Sequence, residues 1–224
     1  MKTSKEKIIK NKIFTLLLFC IGLTGLQAQT VTDIDSNVYN TVTIGTQTWL
    51  KENLKVTKYR NGDKIPNVTD NKQWGALRTG AYCDYDNISN NNTIYGRLYN
   101  CFTVVDSRNL CPTGWHVPTE TEWKTLIKYL GGEEIAGGKL KSATGWFGPN
   151  TEATNSSGFT GLPGGQRTSD GTFRTIGNNG GWWSTTKHMF KHAFNGSVNT
   201  YGAYIDNCDY DKMFGLSVRC IKDK

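Results

Sequence analysis

The sequence predicts an α+β domain of short, twisted antiparallel strands, long loops and one clear helix. Residues 30–224 are rich in Gly, Asn, Thr and aromatic side chains, and turn signals such as Asn61-Gly62-Asp63 and Ser169-Asp170-Gly171 recur along them. Helical periodicity is poor outside one segment. This composition is typical of many short strands joined by turns.

Two segments carry strand patterns. Residues 41–44 and 46–50 alternate in character on either side of Gly45, which predicts a hairpin near the start of the domain. Near the other end, Leu216, Val218 and Cys220 alternate with more polar residues. They predict a closing strand with one buried face.

The clear helix is predicted over residues 119–131. Thr119 and Glu122 have the spacing of a capping box, and Gly131-Gly132 ends the segment. Between them, four apolar residues fall on one face, namely Trp123, Leu126, Ile127 and Leu130. A shorter helical turn over residues 135–141 is weakened by its own glycine pair.

Residues 1–28 are typical of a secretory signal peptide. Five lysines precede an apolar run over residues 13–23 that is too short to span a bilayer, and Ala28 ends a small-residue cleavage site. A lipoprotein signal would use Cys20, but Phe19 is too bulky for the position before it. We therefore expect export, one domain over residues 30–224, and no membrane span after cleavage.

Charge and cysteines exclude several classes of protein. Residues 1–28 account for most of the net charge of +7, leaving +3, and no stripe of Lys and Arg with interleaved aromatics indicates nucleic-acid binding. Five cysteines follow residue 28, an odd number that leaves at least one thiol over if disulfides form. Because none are spaced C-x-x-C, neither a redox motif nor a zinc ribbon is predicted.

Seven short motifs follow one another along the chain after residue 28. They are WLKENL at 49–54, YRNGD at 59–63, YGRLYN at 95–100, LCPTGWHVP at 110–118, GFTGLPGG at 158–165, GWWST at 181–185 and GLSVRC at 215–220. In order and approximate spacing they resemble the motifs of the Fibrobacter succinogenes major paralogous domain family, over nearly the whole chain after residue 28. The resemblance implies an extracytoplasmic protein, secreted or on the outer surface of a Gram-negative bacterium of the Bacteroidetes type. That family in turn resembles the C-type-lectin-like fold and its formylglycine-generating relatives.

The resemblance also implies a disulfide between Cys111 and Cys220, because in that fold a cysteine near the first helix commonly bridges to one in the last strand. The closed loop of about 110 residues would stabilise the fold by about 4 to 5 kcal/mol. Cys101 departs from the family, which has an aromatic residue there. Cys83, Cys101 and Cys208 could form one more bridge and leave one free thiol, and the sequence does not order these possibilities.

The residues that related folds use for catalysis and for calcium binding are missing from this sequence. Formylglycine generation needs a closely spaced cysteine pair near the C-terminus, whereas Cys208 and Cys220 are twelve residues apart. Calcium-dependent sugar binding needs paired oxygen ligands, but Trp183-Ser-Thr stands where one lectin motif would fall. A calcium-loop opening at Asp33 lacks its glycine and its closing glutamate, which favours a strand-entry turn. No catalytic residue and no cofactor is predicted.

The three histidines are candidates for metal ligands or a general base. His188 and His192 are four apart, but the flanking sequence is strand-like, and along one strand they would lie more than about 12 Å apart. No metal site is therefore predicted. His116 has no nucleophile near it in the sequence, which favours a hydrogen-bonded structural role.

The leading hypothesis is a binding module that recognises an extracellular glycan or protein through its C-terminal third. Tyr and Asn suit adaptable recognition at a small entropic cost. Ordinary solvated strand and loop residues are the competing interpretation. A structural component of the cell envelope without a small ligand is the alternative function, and an enzyme ranks third. The predicted ligand-binding residues are Trp182, Trp183, Asn199, Tyr201, Tyr204, Asp206, Asp209 and Tyr210.

Overall fold

The computed structural model describes residues 29–188 and 192–224, and it describes the side chains of these residues except over 187–195 and 207–209. The predicted signal peptide, residues 1–28, lies outside this part. The elements in chain order are β1 Thr30–Thr32, β2 Val38–Ile44, β3 Gln47–Leu50, α1 Asn71–Gly75, β4 Tyr82–Cys83, α2 Ser89–Tyr95, β5 Leu98–Asn100, α3 Cys101–Val104, β6 Trp115–His116, α4 Glu120–Tyr129, α5 Glu133–Leu140, β7 Gln166–Arg167, β8 Phe173–Arg174, β9 Asn179–His188, β10 His192–Asn199, β11 Asp206–Asp211, β12 Gly215–Leu216 and β13 Ile221–Lys222.

The fold is mostly β, with three antiparallel sheets. One sheet has the order β1-β2-β3-β13-β6, so the last strand lies between the N-terminal hairpin and the strand that precedes α4. A second sheet has the order β4-β5-β12-β7-β8, and the third is the meander β11-β10-β9. β12 and β13 thus belong to two different sheets. Because β13 lies beside β3, the end of the chain is joined to its beginning.

The predicted hairpin and helix are confirmed. β2 and β3 pair in register from Thr41–Leu50 to Ile44–Gln47, around Gly45 at a φ of +61°. Thr119 caps α4, and its hydroxyl and backbone amide form both halves of a capping box with Glu122. The apolar face of α4 is buried as predicted.

The structure contains more helices than the one clear helix that was predicted. Among the described residues there are five α-helices, although three of them have seven residues or fewer. α5 spans the weakly predicted segment, and its glycine pair has a packing reason. A Cβ at Gly137 would come within 2.2 Å of the Tyr204 carbonyl oxygen, so only glycine lets α5 lie this close to the chain before β11.

An aromatic cluster forms the centre of the core beneath α4. Trp49, Trp123, Phe159 and Trp182 are all fully buried. Their ring centroids lie 5.0 Å apart for Trp49 and Trp123 and 5.5 Å apart for Phe159 and Trp182, within the range for favourable aromatic contact. Each ring comes from a different segment of the sequence, so this cluster joins distant parts of the chain.

The closing strand differs from its prediction. β12 and β13 are separate two-residue strands that belong to different sheets. Every residue from 215 to 221 is buried, including Ser217 and Arg219, so the segment has no solvated face. The alternation of apolar and polar residues predicted one exposed face. It could not show that a second layer of the protein covers that face as well.

Cys111 and Cys220 form a disulfide, with their Cα atoms 6.0 Å apart. It joins the loop before β6 to the residue before β13. Cys83 is a buried free thiol, and burial raises its pKa to about 12. Cys101 is also buried. The side chain of Cys208 lies outside the described residues, and the question of its partner stays open.

Candidate ligand-binding surface

The turn between β10 and β11 is organised by one side chain. The Asn199 carboxamide oxygen accepts hydrogen bonds from the backbone N–H groups of Tyr201, at 2.8 Å, and Gly202, at 3.2 Å. Its amide nitrogen donates to the Tyr204 hydroxyl at 2.9 Å. Because Asn side chains mimic backbone turns in this way, the conformation of residues 199–204 is fixed locally.

Thr200 fastens this turn to a second loop. It is fully buried, and its hydroxyl donates to the Phe147 carbonyl oxygen and accepts from the Asn150 N–H at 3.1 Å. Its backbone N–H donates to the Asn178 carbonyl at 2.9 Å, and its own carbonyl accepts from the Thr151 N–H at 2.9 Å. The hydroxyl and the carbonyl of Thr200 therefore hold residues 147–151 and 199–204 together, while its N–H joins the turn to the segment before β9.

Lys141 lies beneath both loops. Its side chain is fully buried, and its ammonium donates to the carbonyl oxygens of Thr151, Asn199 and Gly202 at 2.8, 3.0 and 2.8 Å. Burial lowers the pKa of this ammonium, while the charge of Glu152 opposes the shift. All three protons are used on carbonyls, so the cation acts as an internal clamp for the loops.

Three aromatic side chains remain exposed on these loops. Tyr201 is 70% exposed, Phe147 60% and Tyr204 39%. The Phe147 ring lies face-on against Gly177, where a Cβ would come within 2.7 Å of three ring atoms. The Tyr204 ring also lies against Gly202, where a Cβ would come within 2.2 Å of the closest ring atom. Two of the three rings are thus seated on glycine backbone.

We call the exposed set the aromatic loop surface. Asp206 follows it at the start of β11 and is exposed, and partial desolvation raises the pKa of its carboxyl. The surface contains four of the predicted residues and one that the sequence analysis missed, Phe147. Adjacent aromatics in the loop sequence TGWFGPN were the available signal for it. Its members are Phe147, Asn199, Tyr201, Tyr204 and Asp206.

Trp182 and Trp183 do not belong to the surface, which corrects the prediction for both. Each is fully buried, and each indole N–H is satisfied inside the protein, by the Asn53 carboxamide oxygen at 2.8 Å and by the Tyr99 carbonyl at 2.6 Å, respectively. Consecutive residues of a strand point to opposite faces, and here both faces are covered. They are core residues.

Tyr210 lies away from the other tyrosines. Its ring packs on Phe214 at 4.8 Å between centroids and against the core cluster that contains the disulfide. It is four residues from Asp206 along β11, about 13 Å at the usual rise per residue. The predicted tyrosines are therefore dispersed over two places. Asp209 was also predicted to bind ligand, and its side chain lies outside the described residues.

His116 and the candidate calcium loop have structural explanations. Each ring nitrogen of His116 lies within hydrogen-bond distance of a carboxylate, Nδ1 2.6 Å from Asp223 and Nε2 3.0 Å from Glu122. Both contacts are hydrogen bonds when both ring nitrogens carry protons. The Asp33 carboxylate accepts from the Asp35 and Asn37 amides at 2.9 Å and from the Tyr39 hydroxyl, which confirms a strand-entry turn.

The prediction that His188 and His192 lie far apart along one strand is wrong. They lie directly opposite each other in the antiparallel β9–β10 register. Their side chains lie outside the described part. Within it, no group of three or more His, Cys, Asp and Glu residues is placed to hold a metal ion. No helix of the described chain is both long and apolar enough to cross a membrane.

Comparison with known proteins identifies the family. The family model described as Fibrobacter succinogenes major domain matches residues 42–222. Neither the curated proteins nor the solved structures contain a match. The matched range runs from the β2–β3 hairpin to β13 and includes the disulfide, the aromatic cluster and the aromatic loop surface. The chain therefore belongs to the Fibrobacter succinogenes major domain family.

Proposed function

We propose that the protein is an exported binding module of the C-type-lectin-like class that recognises an extracellular glycan or protein through the aromatic loop surface. The observation that carries this proposal is the exposure of Phe147, Tyr201 and Tyr204 on loops that are locked from below by Lys141 and Thr200. Large exposed rings on a rigid support are typical of recognition surfaces.

Rigidity matters because ordering a loop on binding costs free energy. Here the turn conformation is set by Asn199 before any ligand arrives, and the Phe147 and Tyr204 rings rest on glycine backbone. A ligand would therefore meet a preorganised surface, and little of its interaction energy would be lost to ordering.

Export and the lectin-like class rest on three supports. The first 28 residues have the pattern of a signal peptide, and the Cys111–Cys220 disulfide is expected to persist in an oxidising compartment. The disulfide also joins the segment before α4 to the last strand, as the resemblance to lectin-like domains implied. These supports favour a secreted or surface-exposed protein of a Gram-negative bacterium.

The test compares the wild-type protein with Phe147→Ala/Tyr201→Ala on a glycan array and in a pull-down of extracellular surface proteins. We expect a ligand in one assay and at least about a tenfold loss of affinity for the double variant. Ile88→Ala/Ile94→Ala is the matched control, since both residues are exposed and lie outside the surface.

Two results would contradict the proposal. Folded wild-type protein that binds nothing in either assay would remove the binding function. A ligand bound equally well by wild type and by Phe147→Ala/Tyr201→Ala would place the site elsewhere. Circular dichroism and thermal unfolding of each variant show whether a loss of binding reflects a loss of fold.

A further inference from the structure

A fourth exposed ring, that of Tyr129, is not part of the aromatic loop surface. It is the last residue of α4 and is 65% exposed. A Cβ at Gly45, in the β2–β3 turn, would lie 2.9, 3.0 and 3.2 Å from three consecutive ring atoms. Such similar distances require a face-on approach, because an edge-on approach would leave the outer two atoms much farther away than the middle one.

The Tyr129 ring is thus fixed with one face on backbone and the other face open. Glycine is needed at position 45 for two reasons. Its φ of +61° is unfavourable for other residues, and its lack of a Cβ makes room for the ring. Tyr129 belongs to none of the buried clusters of the described residues, so its ring contributes little to the core. A rigid, exposed aromatic face has a use in binding that an unrestrained surface tyrosine lacks.

A cleft of about 340 Å³ adjoins this ring, a volume at the lower end for small-molecule sites. Its lining is mainly polar and includes Thr43, Tyr129, Lys139, Ser156 and Ser157. The hydroxyls of Thr43 and Ser156 can donate and accept hydrogen bonds, whereas that of Ser157 donates to the Lys139 carbonyl oxygen at 2.7 Å and can only accept. Ile44 and Leu130 also line the cleft, and none of its described lining residues carries a carboxylate.

Lys139 provides the only formal charge among the described residues of this lining. Its ammonium donates one hydrogen bond to the Leu130 carbonyl oxygen at 2.7 Å, at the end of α4. An ammonium has three protons, so two remain for a ligand or water. A ligand that carries a carboxylate would therefore be favoured over a neutral ligand of the same shape.

We propose that the Tyr129 cleft is a second binding site, which takes one pyranose ring of a saccharide, with uronic acids preferred over neutral sugars. The apolar C–H face of the sugar would stack on the open face of Tyr129, whose electron-rich surface attracts weakly positive C–H groups. Sugar hydroxyls would exchange hydrogen bonds with Thr43 and Ser156 and donate to Ser157, and a uronate would reach Lys139. This inference stands independently of the aromatic loop surface.

The test is a nuclear magnetic resonance titration of the folded protein with methyl β-glucopyranoside and methyl β-glucuronide. We expect saturable amide shifts at residues 43–45, 129–131, 139 and 156–157, with tighter binding of the glucuronide. Tyr129→Phe should retain binding, because the ring remains. Tyr129→Ala should weaken binding of both sugars by about tenfold or more.

Two further variants separate the elements of the proposal. Lys139→Gln should abolish the preference for the glucuronide while leaving binding of the neutral sugar. Phe147→Ala/Tyr201→Ala should bind both sugars like the wild type, so failure of the proposed function would not imitate failure of this site. The proposal is overturned if neither sugar gives saturable shifts, if the shifts lie outside the cleft, or if Tyr129→Ala binds like the wild type.

Discussion

The Asn53 carboxamide oxygen accepts two hydrogen bonds from the Arg219 guanidinium, from Nη2 at 2.7 Å and from Nε at 3.2 Å, inside the core. It also accepts from the Trp182 indole, while the Asn53 amide nitrogen donates to the Tyr95 carbonyl at 2.7 Å and to the Ser217 hydroxyl. One small side chain therefore connects four of the motifs that identify the family. Burial lowers the pKa of Arg219 to about 9, which leaves the group charged at neutral pH.

Asn53→Ala should lower the free energy of unfolding by about 3 kcal/mol. The substitution leaves the guanidinium of Arg219 and the indole N–H of Trp182 buried without their shared acceptor, and unsatisfied buried groups are costly, charged ones most of all. Urea unfolding followed by tryptophan fluorescence measures the change. Asn90→Ala, at an exposed position, is the control and should change stability by less than about 0.5 kcal/mol. Equal effects of the two substitutions would contradict the role of Asn53.

The disulfide should be a major source of stability. Cys111→Ser/Cys220→Ser opens a loop closed over a sequence separation of 109, for which chain entropy predicts a loss of about 4 to 5 kcal/mol. Guanidinium unfolding with and without reductant measures it. Reductant should destabilise the wild type and leave the double variant unchanged. An equal effect of reductant on both proteins would show that another thiol pair is responsible.

Glu122 should make the fold sensitive to acid. Burial raises the pKa of its carboxyl, but hydrogen bonds from the Thr119 backbone and hydroxyl and the charge of His116 outweigh burial, so the pKa is lowered overall. A carboxyl with a lowered pKa in the folded state stabilises the fold above the pKa of the unfolded chain, about 4.3. That contribution is lost as pH falls through the folded pKa.

Glu122→Gln isolates this contribution, because glutamine can still accept in a capping box. We expect the wild type to be more stable than the variant at pH 7, and the difference to shrink as pH falls below about 4.3. Urea unfolding at a series of pH values gives both curves. A difference that stays constant over this range would mean that the ionised carboxylate does not supply the stabilisation.

Lys141 should control the conformation of the aromatic loop surface. Lys141→Met removes the buried cation together with the three hydrogen bonds that it donates to carbonyl oxygens. We expect the free energy of unfolding to fall by about 3 kcal/mol. Amide hydrogen exchange at Tyr201 and Gly202 should accelerate more than exchange in α4. Lys128→Met, on the exposed face of α4, is the matched control. Unchanged exchange in the turn would show that Asn199 alone determines its shape.

Local patterns predicted the elements whose determinants are local. The α4 capping box, its apolar face and the β2–β3 hairpin depend on residues only a few positions apart, and each is present as predicted. The prediction of Cys111 as the partner of Cys220 came from resemblance, and spacing alone could not have supplied it. Residue type drew attention to Asn199, Tyr201, Tyr204 and Asp206, which the structure places together in the aromatic loop surface, and their binding of a ligand stays a prediction.

The family, the clear helix and the first hairpin could all be predicted from the amino-acid sequence. The burial of Trp182, Trp183 and Arg219, the pairing of His188 opposite His192, and the exposure of Phe147 and Tyr129 on glycine backbone are visible only in the folded chain. Burial and exposure depend on which distant segments pack over a residue. The periodicity of apolar residues indicates one buried face of a single helix or strand. The segments that cover its other face come from elsewhere in the chain.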